Sequence, residues 1–175
     1  MGLFGRGRNT AAPGVAAPTP LAGIDVLLAD LDGVVYAGDR AIPHASEALG
    51  RAVRDGIRVG YVTNNASRTP DTVAAQLRGF GLALSPDDVV TSPQAAVQLL
   101  KDVVPAGSTI LVIGGEGLIV EVEAAGFTVT ASALDIPAAV VQGFHPSVGW
   151  VHLAEASYAI RDLGIPWIAT NQDWT

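Results

Sequence analysis

The sequence contains no cysteine, so disulfides, thiol nucleophiles and cysteine-ligated zinc are all excluded. Basic charge is scarce. Ten Lys and Arg face seventeen Asp and Glu, for a net charge of -7, and Lys101 is the single lysine. A nucleic-acid partner requires clustered cations to neutralise phosphates, so none is expected. Charged residues make up only 15% of the chain and hydrophobic ones 49%, which excludes a disordered chain and supplies a core. No apolar run reaches the ~18 residues of a membrane span, and no membrane partner is expected. The N-terminal stretch MGLFGRGRNTAAPGVAAPTP lacks the continuous apolar centre of a signal peptide. Arg6 stands where a myristoylation motif needs Ser or Thr. Residues 1–22 read as a flexible lead, and the expected location is the cytoplasm.

From Ile24 onward the pattern alternates. Strand-like runs at Ile24–Leu31, Ile57–Thr63, Val89–Thr91, Thr109–Ile113, Phe127–Thr130, Ala138–Gln142 and Pro166–Thr170 are separated by helix-like runs. Pro43 opens a helix through Arg54. Thr69-Pro70-Asp71 and Ser92-Pro93 each carry a cap followed by a first-turn proline. The last helix, Trp150 to Leu163, shows a stripe of Leu153, Ala156, Ile160 and Leu163. Strands alternating with helices predict an α/β fold with a parallel sheet, whose ligands bind at the carboxyl ends of the strands.

Two acids stand where the first strand leaves the core. In VLLADLDGVVYAGD, Asp30 and Asp32 share side-chain parity, so an extended strand turns both toward one crevice. Like charges that close repel one another unless a divalent cation neutralises them. Mg²⁺ suits such a pair, because it takes one or two carboxylates and keeps water or phosphate oxygens as its other ligands. The reading is a metal-assisted phosphoryl-transfer site, with one carboxylate attacking phosphorus and the other handling the leaving group's proton. The competing reading is a metal-free structural pair. The second strand ends in YVTNNASRT, where the Thr63 hydroxyl and the backbone N–H groups of Asn64 and Asn65 suit a phosphate.

DLDGVVY followed by VTNNAS resembles the haloacid dehalogenase-like hydrolases, and more narrowly their NagD-like and p-nitrophenylphosphatase-like phosphatases. TSPQAAVQLL, VIGGEGLIVEVEAAGF and WIATNQD resemble later segments of that subclass. The resemblance implies a Rossmann-like parallel core with an inserted α/β cap. It divides the chain into a lead (1–22), the N-terminal part of the core (23–91) and a truncated cap (92–175). It makes Asp30 the nucleophile and Asp32 the general acid and base. Mg²⁺ would lie on the Asp30 carboxylate and the Asp32 backbone carbonyl, with Thr63, Asn64 and Asn65 on the phosphoryl group. The substrate is expected to be a small phosphorylated metabolite, with glycerol 3-phosphate first, and a homodimer through the cap is expected. The family's lysine and its last metal-binding aspartate have no counterpart here: Lys101 lies mid-helix, and Asp87-Asp88 precedes a strand. The chain therefore reads as the N-terminal portion of a longer enzyme, inactive or poorly folded alone, with an unpaired sheet edge and exposed apolar faces.

Other features have simpler readings. IGGEG, Ile113–Gly117, reads as a tight structural turn, and Arg68 as either an anion contact or a solvated helix-start residue. His44, His145 and His152 share no metal spacing, and Trp150, Trp167 and Trp174 read as cap packing. By family analogy Asn171 and Asp173 face the crevice from the cap. Two other classes stay open at this stage: a receiver-like domain that is phosphorylated without turnover, and a catalytically dead binding fragment.

Overall fold

The computed structural model describes residues 20–172. The lead therefore lies outside the described residues except for its last three positions, as do Asp173 and Trp174. Two parallel sheets organise the rest, with a short antiparallel hairpin beside the first.

The first sheet has the order β1-β4-β5, formed by β1 (Val26–Asp30), β4 (Arg58–Thr63) and β5 (Val89–Thr91). Between β1 and β4 come the hairpin strands β2 (Tyr36–Ala37) and β3 (Arg40–Ala41), then helix α1 (Ala45–Arg54). Helix α2 (Pro70–Gly79) joins β4 to β5. Strand alternation decides which side is covered. Leu27, Ala29, Val59, Tyr61 and Val89 turn toward one core, where they meet Ala52 of α1 and Val73, Ala74 and Leu77 of α2. The opposite face is open: Val26, Leu28 and Val90 are exposed, Leu28 at 68%. β1 thus differs from the fully buried strand that its apolar run suggests, because both flanking helices lie on the same side of it. Among the described residues β1 pairs only with β4, which agrees with the expected free edge and bare apolar face.

The second sheet has the order β7-β6-β8-β9, all parallel. Its strands are β6 (Thr109–Ile113), β7 (Thr128–Thr130), β8 (Ala139–Gln142) and β9 (Trp167–Ala169). Helices α3 (Ser92–Val103) and α4 (Glu116–Ala124) cover one face, and α5 (Trp150–Asp162) the other. The central strands β6 and β8 are almost wholly apolar and buried, as parallel strands covered on both faces must be. On α5 the buried positions are Ala156 and Ala159, with Ile160 and Leu163 half-buried, while Leu153 is exposed. Three of the four residues read as its stripe, Ala156, Ile160 and Leu163, thus face the sheet; Leu153 does not, and Ala159 joins them.

The two sheets meet through the loop that follows β4. Gly117, in the first turn of α4, lies against the backbone of Arg68, and a Cβ there would stand 2.7 Å from its N, C and O atoms. Gly143, just past β8, lies against Ala66, and a Cβ there would stand 2.7 Å from the Ala66 Cβ. Neither contact tolerates a side chain unless the sheets separate. Gly117→Ala, which gains helix propensity, should therefore still destabilise the chain, by about 1–3 kcal/mol through overpacking. A urea midpoint unchanged or raised in that variant would show that the joint is not close-packed.

Candidate active site

Asp30 ends β1 beside Val62 of β4. Leu31 follows and is fully buried, anchoring the chain as it turns. Its carbonyl accepts from the N–H groups of Val34, Val35 and Tyr36 at 3.2, 2.9 and 3.1 Å, closing one helical turn. Gly33 adopts φ 78, a left-handed value that a side chain disfavours, and donates its N–H to the Tyr36 carbonyl at 2.8 Å. The turn brings Asp32 back beside Asp30, although the strand itself has already ended. Both carboxylates are exposed to the crevice. The cost of burying charge therefore does not arise here, and the mutual repulsion of the pair remains. Asp30 Oδ1 accepts from the N–H of Leu31 at 2.8 Å.

Tyr36, buried beneath this turn, senses Asp32. Burial first, and then the negative charge of Asp32, hold its phenol above the ordinary 10.0, while the Arg68 guanidinium pulls the other way. Arg68 itself donates to Gln76 Oε1, and Gln76 Nε2 donates to the Gly38 carbonyl at 3.1 Å. Gln76 thus ties α2 to the hairpin, and Arg68 is engaged with Gln76 instead of lining the crevice.

At the end of β4, Thr63 is buried, and its Oγ1 accepts from the N–H of Asn65 at 3.1 Å. This corrects the reading of Asn65 as an exposed backbone donor: its N–H is engaged within the loop. Asn65 Oδ1 accepts from the N–H and the hydroxyl of Ser67 at 2.9 and 2.7 Å, which fixes the turn. The Asn64 carbonyl accepts from Ser92 Oγ and from Asn171 Nδ2, each at 2.8 Å.

The outcome is a crevice of about 370 Å³ lined by Asp30, Asp32, Asn64, Asn65, Ala66, Phe144 and Asn171. Four of the five site residues read from sequence line it, and Thr63 lies buried directly behind the loop. Asn171 is there as the family analogy expected, whereas Phe144 and Ala66 were missed. Phe144 follows the carboxyl end of β8, and the strand-end rule applied to the second sheet would have found it. Phe144 and Asn171 also line a larger adjoining cavity of about 700 Å³, together with His145, Val148, Trp167, Thr170 and Gln172 among others. Trp167 is 56% exposed there and Trp150 is 81% exposed on α5, so neither is the packing residue expected. The IGGEG stretch is a packing joint, with Gly115 against the His145 ring and Gly117 against Arg68.

Among the described residues no three His, Cys, Asp or Glu side chains gather as a metal cluster. The two carboxylates sharing one crevice still match the donor set of Mg²⁺, which needs only one or two of them.

A parallel α/β sheet with paired carboxylates at the end of its first strand, facing a polar loop at the end of the next, defines a class of hydrolytic phosphoryl-transfer folds. The chain belongs to the haloacid dehalogenase-like hydrolase family, whose model matches residues 27–128. It is 44% identical over 151 residues to the D-glycerol 3-phosphate phosphatase of Mycobacterium tuberculosis, covering 86% of this chain and 42% of that one. To the glycerol-3-phosphate phosphatase of Gallus gallus it is 34% identical, covering 99% of this chain and 62% of the relative. The structure of the Mycobacterium tuberculosis glycerol phosphate phosphatase in complex with magnesium superposes with a TM-score of 0.78 at 42% identity, covering 86% of this chain and 44% of that one. The chain thus spans about half the length of the relatives it matches.

The Tyr36 shift has a checkable consequence. Below pH 10 the phenol is neutral folded and unfolded. Above it the unfolded chain ionises first, so stability is lost as pH rises through the higher folded value. Tyr36→Phe should flatten the fall in urea midpoint above pH 10. An equally steep alkaline fall in the variant would remove Tyr36 as its source.

Proposed function

We propose that the protein is a magnesium-dependent phosphatase acting on a small phosphomonoester, with glycerol 3-phosphate as the first substrate to test. The observation that carries this is the shared crevice of Asp30, Asp32 and the Asn64–Ala66 loop at the carboxyl ends of adjacent parallel strands. The substrates named for the relatives support the same reading. The first sheet with its helices, residues 23–91, forms the N-terminal part of the catalytic core, and the second sheet, from residue 92, forms the cap over it.

The Asp30 carboxylate oxygen attacks phosphorus as the ester P–O bond breaks, and Asp32 gives its proton to the departing alkoxide. Asp32 then takes a proton from water. That water attacks phosphorus, and the bond to Asp30 breaks to release inorganic phosphate and the free carboxylate. The Thr63 hydroxyl and the Asn64 backbone N–H hold the non-bridging oxygens. Mg²⁺, held by the Asp30 carboxylate and the Asp32 backbone carbonyl, would supply positive charge against the phosphoryl oxygens. Asp32 stands on the turn built by Leu31 and Gly33 and so is placed independently of β1. This suits a residue that must serve first the leaving group and then water.

Among the described residues no helix is long and apolar enough to cross a membrane; we place the protein in the cytoplasm. Trp150, Val151 and Tyr158 form an exposed apolar stretch on α5, which supports a homodimer through the cap. Sedimentation should then show a dimer that Trp150→Glu dissociates, and a monomeric parent protein would end that part of the reading.

For the chemistry, Asp30→Asn should lower the magnesium-dependent hydrolysis of p-nitrophenyl phosphate by the whole gene product roughly a thousandfold or more. Asp32→Asn should instead let a phosphorylated protein accumulate, visible by intact mass after rapid quenching. Near-normal turnover by Asp30→Asn would refute the assignment.

A further inference from the structure

The peptide unit joining Asn64 to Asn65 is held at both ends. Its carbonyl accepts from Ser92 Oγ and Asn171 Nδ2, each at 2.8 Å, and its N–H donates to Thr63 Oγ1 at 3.1 Å. A peptide is planar, so fixing the carbonyl fixes the direction of the N–H. A threonine oxygen that accepts from that N–H keeps its own proton to donate elsewhere. Thr63 is 3% exposed, so its hydroxyl has little freedom once this bond is made. Of the two donors, Ser92 begins α3, directly after β5 of the first sheet. Asn171 lies just past β9 of the second sheet and 107 residues from Asn64 in sequence.

We propose that Asn171 is a positioning residue: its side-chain amide, reaching from the second sheet to the Asn64 carbonyl, sets the Asn64–Asn65 peptide and thereby aims the Thr63 hydroxyl at the transferring phosphoryl group. The inference rests on the phosphatase reading and adds to it a mechanical link. The position of the cap over the crevice decides whether the phosphate-binding loop of the core is in its working conformation. Gly117 and Gly143, packed against Arg68 and Ala66 of the same loop, bring the sheets close enough for a side chain as short as asparagine to span the gap.

The test compares the whole protein with Asn171→Asp, which keeps the shape but replaces the donor with a carboxylate that repels the carbonyl, and with Asn171→Gln, which keeps a donor. Ser92→Ala, which removes the other donor on the same carbonyl, carries the test should Asn171→Asp fail to fold. Two measurements are needed. Hydrogen exchange of the Asn65 amide reads the link itself and requires no turnover; it should speed up in Asn171→Asp and stay close to the parent rate in Asn171→Gln. The inhibition constant of inorganic phosphate should rise roughly three- to tenfold in Asn171→Asp, the effect of losing one hydrogen bond. kcat/KM should fall by the same factor for p-nitrophenyl phosphate and for glycerol 3-phosphate, since the lost contact concerns the group that the two esters share.

Unchanged exchange at Asn65 overturns the proposal. So does a loss that differs between the two esters while phosphate inhibition stays constant, because Asn171 would then be touching the leaving group. A parent protein that neither hydrolyses phosphomonoesters nor binds phosphate overturns the phosphatase reading, and this one with it. Faster Asn65 exchange in the variant of that inactive protein would show that the link exists without the activity.

Discussion

The structure depends on one short piece of backbone, the loop from Asn64 to Arg68. It ends the central strand of the first sheet and is the surface on which the second sheet rests. Gly117 and Gly143 approach it too closely to carry side chains, and Ser92 and Asn171 both donate to its first carbonyl. Without that approach the two sheets would be separate cores, each built on its own apolar cluster. With it, the carboxyl ends of β1 and β4 in one sheet and of β8 and β9 in the other converge on a common crevice.

Electrostatics then sets what the crevice needs. Asp30 and Asp32 line it with polar and apolar neighbours, and no cationic side chain is among the described residues that do so. Arg68, at the end of the loop that lines it, is tied to Gln76. Two exposed carboxylates cost far less than two buried ones, so the fold can hold the pair without compensation. A phosphoryl group, anionic itself, cannot approach the pair on the same terms. A bound divalent cation removes the conflict, which is why metal and substrate enter the proposed reaction together.

Much of this was legible in the sequence. β5 and β6 have the predicted bounds, since short apolar runs leave little freedom, while the cap of α3 is Thr91, one residue before the Ser92 read as the cap. The acid pair and the Asn64–Asn65 loop were legible because parallel sheets put ligands at strand ends. The hairpin β2–β3 was not. Its strands are two residues each, and Val34, Val35 and Tyr36 simply prolong an apolar stretch, although they form the turn that aims Asp32. Nor does composition say which face of β1 is covered: all of its apolar residues look alike until α1 and α2 settle on one side. The bond from Asn171 to Asn64 joins residues 107 positions apart, and no local pattern encodes it.

The open face of β1 bears on the chemistry as well as on packing. Side chains alternate along a strand, so Asp30 shares its face with Val26 and Leu28, which are exposed, and not with Leu27 and Ala29. Leu28 already lies across the first sheet, its Cδ2 only 2.9 Å from where a Cβ of Gly60 would stand. Burying Val26, Leu28 and Val90 would stabilise the sheet by the apolar area they now present to water. Any layer that did so would stand next to Asp30. Asp30 thus ends the exposed apolar face of the sheet, so whatever packs on that face also bears on the crevice it lines.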